Sequence, residues 1–122
     1  MYQLVNVVFP FASDADKGKP RPGFVISPAF GKHQQVIVAY VTTQLNELLE
    51  TDIMLDPSDS YFPSTGLVQK SLIKLHRLGT FQPNVLKEGQ GSFPNELIPQ
   101  LKKKLMKVFR RARLKRSCPS TV

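Results

Sequence analysis

The chain contains few side chains of the kinds that usually carry out enzyme chemistry. Its only histidines are His33 and His76, and its single cysteine is Cys118. The sequence has no Gly-x-Ser-x-Gly turn, no His-Glu-x-x-His pair and no phosphate-binding glycine loop. An enzyme of this composition must work with hydroxyls, cations and an imidazole. These groups suit the cleavage of RNA by its own 2′-hydroxyl, because the RNA then supplies the nucleophile and the protein moves protons and neutralises phosphate charge.

The same residues argue against a resident metal or cofactor. Two histidines far apart in sequence do not make a metal site, and a lone cysteine forms neither an internal disulfide nor a structural zinc site. Without disulfides, a reducing cytoplasm is the expected location. No apolar run reaches the ~18–20 residues that span a bilayer, and the opening residues lack the features of a signal peptide. We therefore expect no metal, no cofactor and no membrane association.

The positive charge is concentrated near one end of the chain. Seventeen Lys and Arg residues face nine Asp and Glu residues, which gives a formal net charge of +8, and no acid follows Glu96. Such a basic block is either a solvated face or an arm that binds a polyanion, and the pattern leaves both open. Its basic residues are Lys102, Lys103, Lys104, Lys107, Arg110, Arg111, Arg113, Lys115 and Arg116.

Short apolar runs separated by turn residues predict that the first two-thirds of the chain is β-structure. The polar stretch from Ala12 to Pro20 suits a long hairpin loop, and residues 56–60 form a turn cluster. A fifth strand, residues 66–78, is expected to be bent. The other predicted strands are residues 3–9, 24–26, 35–41 and 51–55.

The pattern of apolar residues in the last third of the sequence predicts an amphipathic helix. Its apolar residues recur at helical spacing, and its lysines fall mainly on the opposite side; Pro94 and Pro99 limit where the helix begins. We therefore predict a mainly β, α+β domain over residues 1–110, a small barrel with a C-terminal helix packed on it. Residues 111–122 are expected to form a flexible basic tail. The apolar stripe consists of Leu97, Ile98, Leu101, Leu105, Val108 and Phe109.

Four segments, in this order and at these spacings, resemble the MazF/PemK family of ribonuclease toxins. Residues 7–11 (VVFPF) end the first strand, and residues 19–27 (KPRPGFVIS) resemble the family's Lys-x-Arg-Pro-x-x-Val-Ile-Ser. Residues 36–44 (VIVAYVTTQ) resemble a strand ending in Thr-Ser/Ala-Gln, and residues 65–71 (TGLVQKS) resemble a Gly-Leu-x-x-x-Ser segment. Together they identify the chain as a member of the family over roughly residues 3–110.

This resemblance implies both a fold and a function. The fold is an SH3-like small β-barrel of the MazF/CcdB type. The function is that of a type II toxin-antitoxin toxin: a homodimer that cuts single-stranded mRNA sequence-selectively without metal, restrained by a cognate acidic antitoxin. The family's functional arginine corresponds to Arg21, whose forked guanidinium would contact the scissile phosphate. Its functional threonine corresponds to Thr42, which would donate to a phosphate oxygen or orient the 2′-hydroxyl. Further RNA contacts are expected from Lys19, Thr43 and Gln44.

A second pair of candidates comes from the predicted fifth strand. Some branches of the family carry a basic and an acidic residue at alternate positions here, and the equivalents are Lys74 and His76. A two-residue step on a strand places both side chains on one face. Lys74 would then hold phosphate and His76 would transfer a proton, since imidazole titrates near neutral pH. The alternative is a pair of solvated side chains on an edge strand. The missing acid leaves the general base open.

Two other functions stay open at this point. One is a non-catalytic toxin on the same fold that acts as a gyrase poison, because function depends on the site and not on the fold. The other is an RNA-binding protein with a decayed active site that acts through its basic tail. Arg21 and Thr42 lie in motifs of the ribonuclease branch, which favours the catalytic hypothesis. Incubation with RNA in EDTA separates cleavage from binding alone.

Overall fold

The structure, a computed structural model, describes residues 2–10 and 18–114. Within these residues an antiparallel sheet is followed by one α-helix, and no helix in this part of the chain is long and apolar enough to cross a membrane. Short 3₁₀ turns lie at Phe62–Thr65, Pro83–Val85 and Asn95–Leu97. The main elements are β1 (Gln3–Val7), β2 (Arg21–Val25), β3 (Val36–Thr42), β4 (Asp52–Leu55), β5 (Ser71–Phe81), β6 (Lys87–Ser92) and α1 (Ile98–Leu114).

The six strands form one curled sheet, a half-barrel, in the order β4-β5-β3-β2-β1-β6. Both sheet faces are buried around β2 and β3, because neighbouring residues such as Phe24 and Val25 belong to two separate apolar clusters. This explains why these strands are continuous apolar runs and do not alternate with polar residues. The predicted class, mainly β with a C-terminal helix, is confirmed.

A bulge of three residues interrupts the pairing of β5 with β3, in the strand that the sequence predicted to be bent. Ala39 of β3 pairs with Leu78, but the next residue, Tyr40, pairs with Lys74. Residues 75–77 of β5 are therefore extra relative to β3. The strand begins at Ser71, because the preceding residues from Thr65 form a turn in which Gly66 has a φ of +74°.

Helix α1 covers one face of the sheet with the predicted apolar stripe. Leu101 is 1% exposed in the larger cluster, and Leu105 and Val108 pack against it. Phe109, by contrast, is 66% exposed. The helix continues to Leu114, four residues past the predicted domain boundary. Residues 115–122 of the predicted tail, and residues 12–17 of the predicted hairpin loop, lie outside the described residues.

Strand β6 was not predicted, since its sequence KEGQGS lacks an apolar pattern. Its glycines allow close backbone approach. A Cβ at Gly91 would lie 2.2 Å from the backbone of Thr65, and one at Gly89 would lie 2.2 Å from the carbonyl oxygen of Leu4. The position of β6 thus depends on two residues without side chains. A search for alternating apolar and polar residues does not detect such a strand.

Candidate active site

Arg21 and Thr42 lie at the same edge of the sheet and line one small cavity. Gly23 of β2 pairs with Tyr40 of β3, so the antiparallel register brings the start of β2 opposite the end of β3. The cavity between them, here called the Arg21 cavity, has a volume of about 140 Å³. Its walls are Arg21, Pro22, Tyr40, Val41, Thr42, Thr43, Leu67, Val68, Gln69 and Ser71.

The hydroxyl of Thr42 is held by a turn directly after β3. The backbone N–H of Gln44 donates to Thr42 Oγ1 over 3.1 Å. Because that bond uses the oxygen as an acceptor, the O–H itself can still donate, and it has no acceptor among the described residues. Thr42 therefore offers the Arg21 cavity a hydroxyl donor of fixed position.

The opposite wall of the Arg21 cavity is a tight turn fixed by its own side chains. Thr65 is fully buried; its hydroxyl donates to the carbonyl of Phe62 over 2.7 Å and accepts from the N–H of Leu67 over 3.1 Å. Ser71 Oγ donates to the carbonyl of Gln69 over 2.9 Å. These bonds account for the Thr-Gly-Leu-x-x-x-Ser pattern, whose residues shape the wall.

A larger cavity adjoins the first at Tyr40 and Thr42, which line both. This second cavity, here called the Arg77 cavity, has a volume of about 440 Å³. Arg77 Cζ lies 4.8 Å from the centre of the Tyr40 ring, a cation–π contact that restrains the guanidinium. The two cavities share Tyr40 and Thr42 and are together called the groove below. The walls of the Arg77 cavity are Tyr40, Thr42, Gln44, Asn46, Glu47, Lys74 and Arg77.

The bulge in β5 separates Lys74 from His76, so the expectation that a two-residue step would place them on one face is wrong. Lys74 lines the Arg77 cavity together with Arg77, three residues later. His76 is exposed and lines a different cavity of about 230 Å³, beside Glu50 and Val108. The extra residues interrupt the strand alternation on which the expectation depended.

Lys74 is buried, which also contradicts the alternative of a solvated pair on an edge strand. Its Nζ donates to Asp52 Oδ2 over 2.7 Å and to the carbonyl of Glu47 over 2.9 Å. The side chains of Lys74 and Asp52 are 8% and 0% exposed. Strand β5 lies between β3 and β4 and is not an edge strand. The ammonium therefore already has partners within the protein.

The other residues that were predicted to contact RNA do not all line the groove. Thr43 and Gln44 are exposed at the groove, one in each cavity. Lys19 is exposed two residues before Arg21 and lines neither cavity. The sequence reasoning missed Arg77 and Asn46. In the sequence, only the position of Arg77 close to Lys74 and His76 pointed to a role in the site.

The groove combines cations, hydroxyls and amides, and it is suited to binding a phosphate diester. Arg21 can fork onto phosphate oxygens while Thr42 donates from the facing strand end. No group of three or more His, Cys, Asp or Glu residues within the described ranges could hold a metal ion. The groove can therefore supply charge stabilisation and hydrogen-bond donation, and Glu47, which also lines it, adds a carboxylate.

Known proteins with this fold include bacterial toxins. Mycobacterium tuberculosis toxin MazF-mt6 superposes with a TM-score of 0.63 at 20% identity, over 87% of this chain and 95% of its own. An endoribonuclease in complex with its cognate antitoxin, from a mycobacterial species, has a TM-score of 0.63 at 13% identity, over 89% and 92% of the two chains. A further mycobacterial endoribonuclease has a TM-score of 0.57 at 14% identity, over 87% and 88%.

A search of curated protein sequences finds no match. The model of one protein family, however, matches residues 2–109, nearly the whole described chain. The match includes both strand ends that carry Arg21 and Thr42, and the turn that faces them. The chain belongs to the family of PemK-like, MazF-like toxins of type II toxin-antitoxin systems.

Proposed function

We propose that this toxin is an endoribonuclease that cuts single-stranded mRNA at selected sequences. The observation that carries the proposal is the convergence of Arg21 and Thr42 on one small cavity, from the start of β2 and the end of β3. A guanidinium and a hydroxyl donor at one point are the groups that stabilise charge on a phosphate under attack. The endoribonuclease folds that superpose on this chain support the same class of activity.

The proposed reaction uses the substrate's own nucleophile. The 2′-oxygen forms a bond to the adjacent phosphorus, and the bond from phosphorus to the 5′-oxygen breaks. A base accepts the proton of the 2′-hydroxyl, and an acid supplies a proton to the departing 5′-oxygen. The products are a 2′,3′-cyclic phosphate and a 5′-hydroxyl. Arg21 neutralises the charge that gathers on the phosphoryl oxygens, and the Thr42 O–H donates to one of them.

The donor set of the groove suits a reaction without metal, since its polar side chains are mostly cationic, hydroxyl or amide groups. The test is incubation of the purified protein with a mixed single-stranded RNA pool in EDTA. Wild-type protein should cut the RNA, and Arg21→Ala should lower the rate ~100-fold or more, the usual cost of losing one such donor. Lys32→Ala, an exposed lysine that lines neither cavity of the groove, is the matched charge control.

Three results would count against this proposal. A strict requirement for magnesium would reject the metal-independent reaction. Near-normal activity of Arg21→Ala would remove that residue from the active site. RNA that is bound by the wild-type protein but stays intact would favour the alternative of a decayed active site.

The proposed restraining partner is a cognate antitoxin with an acidic, partly disordered segment that lies along the groove. Its carboxylates would meet Arg21, where an RNA phosphate otherwise binds, and Arg77 in the second cavity; Lys19 lies two residues before Arg21 in the sequence. A segment that orders on binding can cover a long groove and be removed by proteolysis. Saturating antitoxin should abolish cleavage. Unhindered cleavage in the saturated complex would reject a shared groove.

We also propose that the toxin acts as a homodimer in the cytoplasm, where its mRNA substrate is found. Large apolar side chains are exposed on the single chain: Val68 is 90% exposed, Leu48 60% and Phe30 54%. Exposed apolar side chains mark a protein contact where they gather in one patch, so we propose these three residues for the dimer interface. Sedimentation equilibrium should give twice the mass of one chain, and a monomer at micromolar concentration would contradict the proposal.

A further inference from the structure

The Arg77 cavity has the size and the side chains of a small-molecule subsite. Its volume of about 440 Å³ falls within the range of roughly 300–1,000 Å³ that ligand pockets occupy. One wall carries the amides of Gln44 and Asn46, each of which has both donors and an acceptor. Amide side chains of this kind pair with the edges of nucleobases, which single-stranded RNA leaves unpaired.

Arg77 adds a planar group to the same cavity. Its Cζ lies 4.8 Å from the centre of the Tyr40 ring, and both residues line the cavity. Guanidinium planes and aromatic rings are the surfaces on which unstacked bases rest in RNA complexes. Because Tyr40 is only 5% exposed, the guanidinium of Arg77 over its ring is the planar group that the cavity offers to a base, next to two amides that can pair with a base edge.

Two buried charged side chains, Lys74 and Asp52, hold the backbone of the segment that carries the amides. Lys74 Nζ donates to the carbonyl of Glu47 over 2.9 Å, directly after Asn46. Asp52 Oδ2 accepts the N–H of Leu49 over 2.9 Å as well as the ammonium of Lys74. Because the Asp52 side chain is 0% exposed, water does not compete for these bonds. The buried pair thus sets the backbone position of residues 47–49.

We propose that the Arg77 cavity binds the nucleobase next to the scissile phosphate, and that Gln44 and Asn46 determine which base is accepted. Lys74, with Asp52, is a positioning residue that holds the amide-bearing segment and makes no phosphate contact itself. The inference rests on the proposed RNA cleavage, because the two cavities adjoin at Thr42. It extends that function by assigning sequence selectivity to particular side chains.

The first test measures base preference. Wild-type protein cuts a mixed RNA pool, the cut ends are sequenced, and oligonucleotides that differ at one base beside the cut are then compared by kcat/KM. Asn46→Ala and Gln44→Ala should each lower the discrimination at one position by roughly 5- to 150-fold. Gln44→Ala keeps the backbone N–H that Thr42 accepts. Gln82→Ala, an exposed amide outside both cavities, should change nothing.

The second test concerns the buried pair, and it uses a double variant because Lys74→Met alone leaves a buried carboxylate without a cation. Asp52→Asn combined with Lys74→Met removes both charges and keeps an oxygen that can accept the N–H of Leu49. A folded double variant should lose discrimination at the same base as Asn46→Ala. A purely structural role would leave the base preference of the folded double variant intact.

The outcomes separate this inference from the function on which it rests. If the wild-type protein cuts no RNA, the proposed function fails, and the subsite fails with it. If it cuts RNA but Asn46→Ala and Gln44→Ala keep the wild-type preference at every position, the base-reading role is wrong and the cleavage proposal stands. If only the double variant keeps that preference, the positioning role of Lys74 is wrong.

Discussion

Replacing Lys74 by methionine should destabilise the protein more than any exposed ion-pair change. The Asp52 carboxylate is completely buried, and its Oδ1 accepts no hydrogen bond from the described residues. Lys74, 2.7 Å from Oδ2, is therefore its main charge partner. Leaving a buried charge unpaired costs about 3–5 kcal/mol, a large part of the roughly 5–15 kcal/mol that holds a domain of this size folded.

The assay is urea unfolding followed by circular dichroism, with thermal melting alongside. At about 3–5 °C per kcal/mol for a chain of this length, Lys74→Met should lower the melting temperature by roughly 10–20 °C. Lys70→Met is the matched control, since Lys70 pairs with Asp56 over 3.4 Å while 43% exposed. An exposed pair of this kind contributes only about 0–1 kcal/mol.

Adding Asp52→Asn to Lys74→Met should recover most of the lost free energy of unfolding, because the double variant buries no charge. A loss below about 1 kcal/mol for Lys74→Met, or one equal to that of Lys70→Met, would refute the reasoning. So would a double variant less stable than Lys74→Met alone.

Three further predictions concern the groove, β6 and the basic end of the chain. Thr42→Val should lower the single-turnover cleavage rate ~100-fold while Thr42→Ser stays within about tenfold of wild type; equal rates for the two variants would show that the hydroxyl is not used. Gly91→Ala should cost about 1–3 kcal/mol or more in urea unfolding, because its Cβ would meet the Thr65 backbone at 2.2 Å; an unchanged midpoint would mean that β6 shifts freely. Removing residues 110–122 should weaken RNA binding without moving the cut site. The slope of log binding constant against log salt concentration should flatten by roughly 0.7 per lost phosphate contact. An unchanged slope would mean that these residues are solvated and do not bind RNA.

The elements that bury apolar side chains were the most predictable part of the fold. Strands β1 to β4 and the stripe of α1 follow from runs of valine, isoleucine and leucine at strand or helix spacing. Strand β6 could not be found this way. Its sequence is polar, and its place depends on glycines that let its backbone approach Leu4 and Thr65, a tertiary requirement that leaves no periodic pattern.

The candidate site was predicted unevenly for a similar reason. Arg21 and Thr42 were named from motifs, and the β2–β3 register brings them to one cavity. The positions of Lys74 and His76 were derived from strand alternation, which the bulge after Tyr40 interrupts. Because of the extra residues, Arg77 and not His76 lies beside Lys74 in the groove. The pairing of Lys74 with Asp52 joins β5 to β4 across 22 residues of sequence, which local patterns do not reveal.

The most direct test of the central claim removes the nucleophile from the substrate. An RNA oligonucleotide containing the preferred cut site is compared with one that lacks the 2′-hydroxyl only at the nucleotide before the cut, both in EDTA. The intact RNA should be cut to a 2′,3′-cyclic phosphate and a 5′-hydroxyl, identified by mass spectrometry. The substituted RNA should bind with similar affinity and remain whole. Cleavage of the substituted RNA, or a 5′-phosphate on either product, would contradict the account.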